Sequence, residues 1–282
     1  MSKDAVLIIV SDLHLGSRVA PWPPGVTLEE GGEYICNRIQ VQLNVWWSAF
    51  WNEFLPPLAR KRRRIIVING DLVEGDRHNP AALVTASMAD QRKAALALLQ
   101  DVVKPRQDAV YVIRGTESHT GYCGSDEEGI AQALGCKPEP GTGHYSRYHL
   151  WLKINDAAFS IAHHIGVSSS PVSEGTALTT QLLKAWREAG QWGEEAPDVL
   201  VRSHRHRYYY IEAPGKRGKF AVLTTPGWQA KTPFVQRIDP TALPQIGGVV
   251  VTVDASGAWA VHSFVKALPM PEAEEVVFGD KK

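Results

Sequence analysis

The sequence predicts an α/β fold in which two β-sheets are packed between helices. Short apolar segments alternate with helical segments in the first half, as at Ala5–Val10 and Ile65–Ile68. The second half is rich in strand-like segments, of which Val249–Val253 and Trp259–Val265 form the last predicted hairpin. Strand–helix alternation followed by a β-rich half suits a sandwich of two sheets with helices on the outside.

The composition is that of a globular protein with no preferred class of partner. The chain has 282 residues, of which 44% are apolar, and this is enough to bury a full core. Lys+Arg and Asp+Glu are both 30, so net charge neither indicates nor excludes a nucleic-acid partner or a membrane. The apolar segment near the N-terminus is too short to span a bilayer and lacks a cleavage site, so we expect a buried strand. The cysteines, Cys36, Cys123 and Cys136, predict reduced thiols in a cytoplasmic protein.

The remaining elements follow from apolar runs and from turn residues. Further strands are predicted at Ala109–Ile113, Tyr148–Ile154, Ala158–Ala162, Val199–Val201, Tyr208–Glu212 and Phe220–Leu223. Helices are predicted at Glu33–Leu55, Ala81–Val103, Asp126–Leu134 and Leu178–Ala189, the first of them closed by Pro56-Pro57. We expect one domain over residues 1–270, with a helical insertion at about 25–60 that covers the site or forms a dimer face, and a loose tail over 271–282.

Asp and His residues follow directly on several of the predicted strands. They are Asp12, His14, Asp71, His163, His204 and His206. Ligands of open α/β sheets lie outside the carboxyl ends of the strands, so separate strand ends can bring these side chains together. Imidazole and carboxylate suit divalent Mn, Fe, Zn or Ni, and a shared carboxylate can hold two such ions about 3.5–4 Å apart. The alternative is a set of capped turns and surface histidines.

This ordered set resembles the calcineurin-like metallophosphoesterase superfamily. The motifs are Asp12-x-His14, Gly70-Asp71, Gly115-Thr116-x-x-His119, His163 and His204-x-His206, and they span residues 12–206. The resemblance implies a four-layer αββα sandwich with two metal ions bridged by Asp71 and a hydroxide. It implies that Asp12, His14 and His206 hold the first ion and that His163 and His204 hold the second. His164 is the alternative to His163, and otherwise a contact to substrate or to a ligand.

The third motif departs from the family pattern, which is usually Gly-Asn-His. Thr116 stands where the metal-binding Asn is expected, as in a variant that resembles phage and prophage members. Thr116, Glu117 or water could then coordinate the second ion. His119 is predicted to protonate the leaving oxygen, because the pKa of imidazole lies close to working pH. The alternative is that His119 only caps the following loop.

The resemblance implies a metal-dependent phosphoric ester hydrolase in which hydroxide attacks phosphorus in line. Arg114 and Arg205 are predicted to bind the phosphate through their guanidinium groups. Tyr208–Tyr210, Trp228 and Lys231 form a rim for a nucleobase or a single strand, or else pack as ordinary strand residues.

These features favour a phosphodiesterase or nuclease that acts on nucleotides or nucleic acid. A phosphomonoesterase for a small metabolite or phosphoprotein remains an alternative. So does a non-catalytic metal-binding scaffold with a degraded site. The sequence does not indicate the native metal or the oligomeric state.

Overall fold

The computed structural model describes residues 3–76, 82–166, 173–215, 218–241, 243–269 and 274. The strands are β1 (Ala5–Val10), β2 (Arg63–Asn69), β3 (Ala109–Ile113), β4 (Ser146–Arg147), β5 (His149–Ile154), β6 (Ala157–Ala162), β7 (Val199–Arg202), β8 (Tyr209–Gly215), β9 (Gly218–Thr224), β10 (Gln245–Val253) and β11 (Trp259–Ala267). The helices are α1 (Arg38–Ala49), α2 (Leu55–Ala59), α3 (Met88–Gln100), α4 (Ser125–Ala133), α5 (Glu174–Trp192) and α6 (Pro233–Ile238).

Both sheets contain parallel and antiparallel strand pairs. The first has the order β11-β10-β1-β2-β3-β4, in which β1 to β4 run parallel and β10 runs antiparallel to both of its neighbours. The second has the order β5-β6-β7-β9-β8, in which β6, β7 and β9 run parallel. Each sheet therefore has a central group of parallel strands, and the carboxyl ends of those strands carry the loops discussed below.

The two sheets pack face to face, and helices cover both outer faces. The side chains of β1 alternate between two cores, because successive residues of a strand point to opposite faces. Val6, Ile8 and Val10 pack against helices α1 to α4, whereas Leu7 and Ile9 pack between the sheets. Residues of α5 pack on the outer face of the second sheet, where Leu178 and Leu182 meet Leu200 and Val222. This is a four-layer αββα sandwich, and the predicted fold class is confirmed.

The long helix predicted at Glu33–Leu55 differs at both ends from the helix observed. It begins after Asn37, whose side chain accepts hydrogen bonds from the amides of Ile39 and Gln40 while Gln40 caps Asn37 in return. Its end is not at Pro56-Pro57, because the chain continues through a π-helical turn over Phe50–Phe54 into α2. Pro residues are tolerated in the first turn of a helical segment, where an amide has no helical acceptor.

The helix predicted at Ala81–Val103 is shorter than expected. Ala81 lies outside the described residues, and α3 begins only after Ser87, whose hydroxyl accepts a hydrogen bond from the Asp90 amide. The segment before Ser87 is held in another way, since the amide of Val84 donates to the carbonyl of Gly16 at 2.6 Å. Tertiary pairing with the first loop therefore replaces the first helical turns.

Two further expectations concern the membrane and the thiols. Among the described residues, no helix combines the length and the apolar character needed to cross a membrane. The three cysteines are all unpaired, with Cys136 buried and Cys123 exposed. The predicted tail from residue 271 lies outside the described residues, apart from Glu274.

Candidate metal centre

The predicted ligands meet at one end of the sandwich because each follows the carboxyl end of a parallel strand. Asp12 and His14 follow β1, Asp71 follows β2, His163 follows β6, and His204 and His206 follow β7. Backbone hydrogen bonds continue beyond the strands and hold the loops in register. The amide of Asp12 donates to the carbonyl of Gly70 at 2.9 Å, and the amide of Ser203 donates to the carbonyl of His163 at 2.8 Å.

Five of the six predicted ligands have left-handed backbone conformations. The φ angles are 53° at Asp12, 47° at His14, 53° at Asp71, 73° at His204 and 49° at His206. Non-glycine residues rarely adopt positive φ, and such strained residues cluster at functional sites where the surrounding structure enforces them. The fold therefore enforces costly local conformations at the positions where the sequence predicts metal ligands.

One group of side chains consists of Asp12, His14 and His206. Nε2 of His206 lies 3.3 Å from Oδ1 of Asp12, and Nε2 of His14 lies 3.2 Å from Nε2 of His206. Nitrogen and oxygen atoms from two strand ends thus converge on one point. This is the set that the sequence assigns to the first metal ion, and its members lie close enough to hold one.

A second group consists of Asp71, His163 and His204. Nε2 of His163 lies 3.1 Å from Oδ2 of Asp71, and Nδ1 of His204 lies 3.9 Å from the same oxygen. Nδ1 of His163 donates to the carbonyl of Asn69 at 2.6 Å, so its Nε2 is the atom that faces the carboxylates. Such a bond at the far nitrogen is typical of metal-binding histidines, because it sets the ring orientation.

Asp71 belongs to the second group and also faces the first. Its Oδ2 is 4.0 Å from Nε2 of His14, which belongs to the first group, and it also faces the two histidines of the second. A carboxylate in this position can serve two cations at once.

The centre is buried and its charges are strongly coupled. Burial alone would raise the pKa of Asp12, but His206 and His163 lower it to about 2. Burial would also raise the pKa of Asp71, but His163 holds the pKa of this carboxylate well below its usual value. Burial would lower the pKa of His163, but Asp71 and Asp12 raise it to about 10. Without metal, the site is thus held together by carboxylate–imidazolium attraction.

The donor atoms fit divalent cations. Oδ1 of Asp12 and Nε2 of His163 are buried, and their nearest polar neighbours are other members of the centre, His206 at 3.3 Å and Asp71 at 3.1 Å. A cation held there would take the place of the protons in these contacts. Two carboxylates and four imidazoles match the preferences of Mn, Fe, Zn and Ni. The residues present could therefore hold the two predicted cations.

Glycine is required at two places beside the ligands. A Cβ atom on Gly115 would lie 2.0 Å from Oδ1 of Asp71, which is far inside van der Waals contact. Gly70 has a φ of 84°, and a Cβ atom there would lie 2.4 Å from Nδ1 of His163. Both glycines allow the backbone to approach a ligand side chain closely.

Thr116 contacts the centre through Asp71. Its amide donates to Oδ1 of Asp71 at 2.7 Å, and its hydroxyl donates to the same oxygen at 3.1 Å. The observed contacts of Thr116 at the centre are therefore to the Asp71 carboxylate, and its coordination of a metal ion stays a prediction. Glu117 is exposed and lies outside both ligand groups.

The structure separates His163 from His164. His163 is buried against Asp71 and Asp12, whereas the side chain of His164 is exposed and its ring centroid lies 5.0 Å from that of His204. His163 is thus the member of the pair that reaches the carboxylates. His164 is placed to touch His204 or a bound molecule.

Glu74 is a functional candidate that the sequence reading missed. Its Oε2 lies 2.9 Å from Nδ1 of His14 and accepts a hydrogen bond of 2.7 Å from Gln229. His119 joins this cluster, since its Nδ1 donates to the backbone carbonyl of Glu74 and its ring meets that of His14 edge-on at 4.5 Å. Glu74 therefore orients His14, and its position three residues after Asp71 was the signal available in the sequence.

Glu127 is a second buried acid that was not predicted. It is fully buried on α4 and accepts hydrogen bonds from the amides of Gly115 at 2.8 Å and Leu72 at 3.3 Å. It thereby ties the loop after β2 to the loop after β3. Burial, followed by the charge of Asp71, raises its pKa to about 8. The sequence showed only an acid in the first turn of a helix, which is an ordinary surface pattern.

The predicted substrate contacts are arranged differently from the ligands. Nε of Arg114 donates to Ser146 at 2.9 Å, and its Nη2 lies 3.7 Å from Glu128. Arg205 donates to the backbone carbonyls of Glu174 and Gly166. Both guanidinium groups are therefore engaged by protein acceptors, and their contact with phosphate stays a prediction.

Of the two alternatives for the aromatic residues, a substrate rim or ordinary packing, Trp228 follows packing. This side chain is fully buried and packs edge-on against Trp47, with ring centroids 4.8 Å apart. Tyr208 and Tyr210 pack against the core between the sheets. These two tyrosines pack as ordinary strand residues, because the hairpin turns their side chains inward.

Comparison with known proteins yields distant structural matches. No family model and no curated protein matches the chain. Vps29 from Entamoeba histolytica complexed with Zn²⁺ matches with 12% identity and a TM-score of 0.40, over 92% of this chain and 98% of that one. The sulfate thiohydrolase SoxB from Thermus thermophilus matches with 11% identity and a TM-score of 0.42, over 94% of this chain and 56% of that one. A metallophosphoesterase from Sphaerobacter thermophilus matches with 10% identity and a TM-score of 0.35, over 92% and 87%.

One of the matched proteins is named as a metallophosphoesterase. At these identities and TM-scores the likeness has no bearing on activity or substrate. The case for function therefore rests on the geometry of the centre itself.

Proposed function

We propose that this chain is a phosphoesterase that works with two divalent cations. The observation that carries the proposal is the position of Asp71, whose Oδ2 lies within 4.0 Å of ring nitrogens from His14, His163 and His204. Asp12, His14 and His206 would hold one cation, and His163 and His204 the other. Two cations held there would lower the pKa of a water molecule and offset negative charge on the phosphate oxygens.

The chain's own residues keep this centre in shape. Two hydrogen bonds from Thr116 fix the Asp71 carboxylate, and Glu74 fixes the ring of His14. Thr116 occupies the position at which the family pattern has a metal-binding Asn. It would therefore support the centre by holding Asp71. Groups that orient metal ligands commonly contribute about 10- to 100-fold in metal affinity or activity.

His119 is proposed as the proton donor for the leaving oxygen. Burial and the nearby His14 lower its pKa to about 4, so the ring is neutral at pH 7 in the molecule as described. A bound phosphate would place negative charge beside the ring and raise that pKa. The donor role therefore depends on substrate being present, and the proton would pass from the imidazolium form of the ring to the departing alkoxide, which leaves neutral imidazole.

The finer proposal is a phosphodiesterase or nuclease for nucleotides or nucleic acid. It is supported by aromatic side chains beside the loop after β3, which are described in the next subsection. A phosphomonoesterase would use the same centre, and a metal-binding scaffold would retain the ligands without turnover.

Hydrolysis of p-nitrophenyl phosphate and bis-p-nitrophenyl phosphate tests the proposal. Metal-stripped protein would be assayed with Mn²⁺, Ni²⁺ or Zn²⁺ added back, beside Asp71→Ala and the exposed control Asp101→Ala. Metal-dependent cleavage of the diester that is lost only in Asp71→Ala supports the proposal. Cleavage of the monoester alone points to a phosphatase, and metal binding without any cleavage points to the scaffold.

A further inference from the structure

A groove opens beside the metal centre and is not part of it. It encloses about 400 Å³ and is lined by Arg114, Gly115, Glu117, Tyr122 and Tyr148, among others. A Cβ atom on Gly115 would lie 2.0 Å from Oδ1 of Asp71, so the groove reaches the backbone that packs against this carboxylate. A group attached to a phosphate held at the Asp71 centre could enter the groove from that side.

Two tyrosine side chains in this groove are unusually open to solvent. Tyr122 is 81% exposed and Tyr148 is 71% exposed. Aromatic rings usually bury their faces, because the transfer of apolar area out of water is favourable. Two exposed rings in one groove next to a candidate active centre therefore indicate a binding surface.

The fold holds these rings in place. Tyr122 lies in a tight turn in which Gly121, Cys123 and Gly124 all have left-handed φ angles, of 73°, 54° and 79°. Cys123 has no glycine-like freedom, so its conformation is strained and must be enforced by its surroundings. The structure thus presents the Tyr122 ring outward at the expense of local strain.

Tyr148 is supported from one side by Arg114. The guanidinium carbon lies 5.0 Å from the centre of the Tyr148 ring, which is within cation–π range. Arg114 is in turn anchored by Ser146 and Glu128. The ring therefore has a positioned support on one side while most of its surface stays open.

The groove carries charges of both signs and offers an acceptor to N–H donors. Arg114 lies near the Glu128 carboxylate, and the exposed carboxylate of Glu117 adds negative charge. A nucleobase suits the groove, because it offers a flat face to the tyrosines and N–H groups to Glu117.

We propose that this groove binds a nucleobase of the substrate, whose phosphate lies at the Asp71 centre. The inference rests on the proposed function for the position of the phosphate. It identifies the substrate class as nucleotide esters, either free or within a single strand.

Two esters with the same leaving group provide a direct test. Thymidine 5′-(p-nitrophenyl phosphate) and methyl p-nitrophenyl phosphate differ only in the nucleoside, and the ratio of their kcat/KM values measures its contribution. We expect this ratio to fall about 10-fold in Tyr122→Ala and in Tyr148→Ala, in line with the usual effect of removing one stacking partner. Trp192→Ala is the matched control, since Trp192 is also 71% exposed but lies at the end of α5. An unchanged ratio in both tyrosine variants would overturn the inference.

A binding measurement separates this inference from the proposed function. Fluorescence anisotropy of a labelled single-stranded thymidine octanucleotide, with metal removed by EDTA, requires no turnover. Weaker binding in the tyrosine variants than in Trp192→Ala supports the groove even if the wild-type chain cleaves neither ester. Equal binding in all three variants counts against it even if both esters are cleaved. Competition by free thymidine 5′-monophosphate then shows whether one nucleotide is enough or a strand is needed.

Discussion

Metal binding is expected to expel a proton from His163. Asp71 and Asp12 raise the pKa of this buried ring to about 10, so at neutral pH it carries protons on both nitrogens. Nδ1 keeps its proton because it donates to the carbonyl of Asn69. Nε2 is the atom that faces the carboxylates, and it must lose its proton before it can coordinate a cation. Asp12 contributes no proton, since its pKa is about 2.

The pH dependence of metal affinity follows from the number of protons released on binding. Each proton released makes the apparent metal affinity rise about 10-fold for each pH unit below the pKa of the ring that loses it. His14 adds to the protons released, because Glu74 raises its pKa despite burial. The stability of the metal-free protein falls as pH rises, because the pKa of His163 is raised above its ordinary value of 6.5. Its stabilising contribution is complete below pH 6.5 and is lost as pH rises through about 10.

Isothermal titration of metal-stripped protein with Mn²⁺ measures the proton directly. Titrations at one pH in buffers with different heats of ionisation give the number of protons released. His163→Gln should release one proton fewer than the unaltered chain, whereas His262→Asn should release the same number, because His262 lies on β11 and is not one of the ligands. The reasoning is refuted if the unaltered chain and His163→Gln release equal numbers and the affinity is flat between pH 6.5 and 8.5.

Three substitutions test other parts of the centre. Gly115→Ala would place a Cβ atom 2.0 Å from Oδ1 of Asp71, so kcat should fall at least ~100-fold, and a kcat within threefold of wild type would contradict this contact. Thr116→Val removes one hydroxyl bond to Asp71 but keeps the backbone bond, so we expect metal dissociation constants to rise about 2- to 10-fold, as equilibrium dialysis would show. His119→Ala should slow hydrolysis of an alkyl phosphate ester far more than that of an aryl ester, and equal losses would rule out proton donation.

The convergence of the Asp and His side chains was predictable because its signals are local. Each of Asp12, Asp71, His163 and His204 stands directly after an apolar strand, and the topology of parallel strands then brings such positions together. The inward packing of β1 followed from its apolar run in the same way. Nothing in this reasoning required knowledge of distant contacts.

Other features depend on contacts that no local pattern reveals. Glu127 becomes part of the centre only because α4 packs under the loops that carry Leu72 and Gly115. The sequence left Trp228 open between a substrate rim and ordinary packing, and its burial against α1 is a distant contact. The end of the first helix was misplaced at Pro56, since the π-helical turn before it was not foreseen. Exposure of Tyr122 likewise depends on a strained turn that its own residues do not announce.

The number of metal ions bound per chain is the most direct test of a two-cation centre that shares Asp71. Equilibrium dialysis of metal-stripped protein against Mn²⁺, followed by elemental analysis, gives this number for the unaltered chain and for Asp71→Ala. The geometry predicts two ions in the unaltered chain and fewer than two in the variant, because Asp71 is the carboxylate that faces both ligand groups. A single ion in the unaltered chain, or two ions retained without Asp71, would contradict the account.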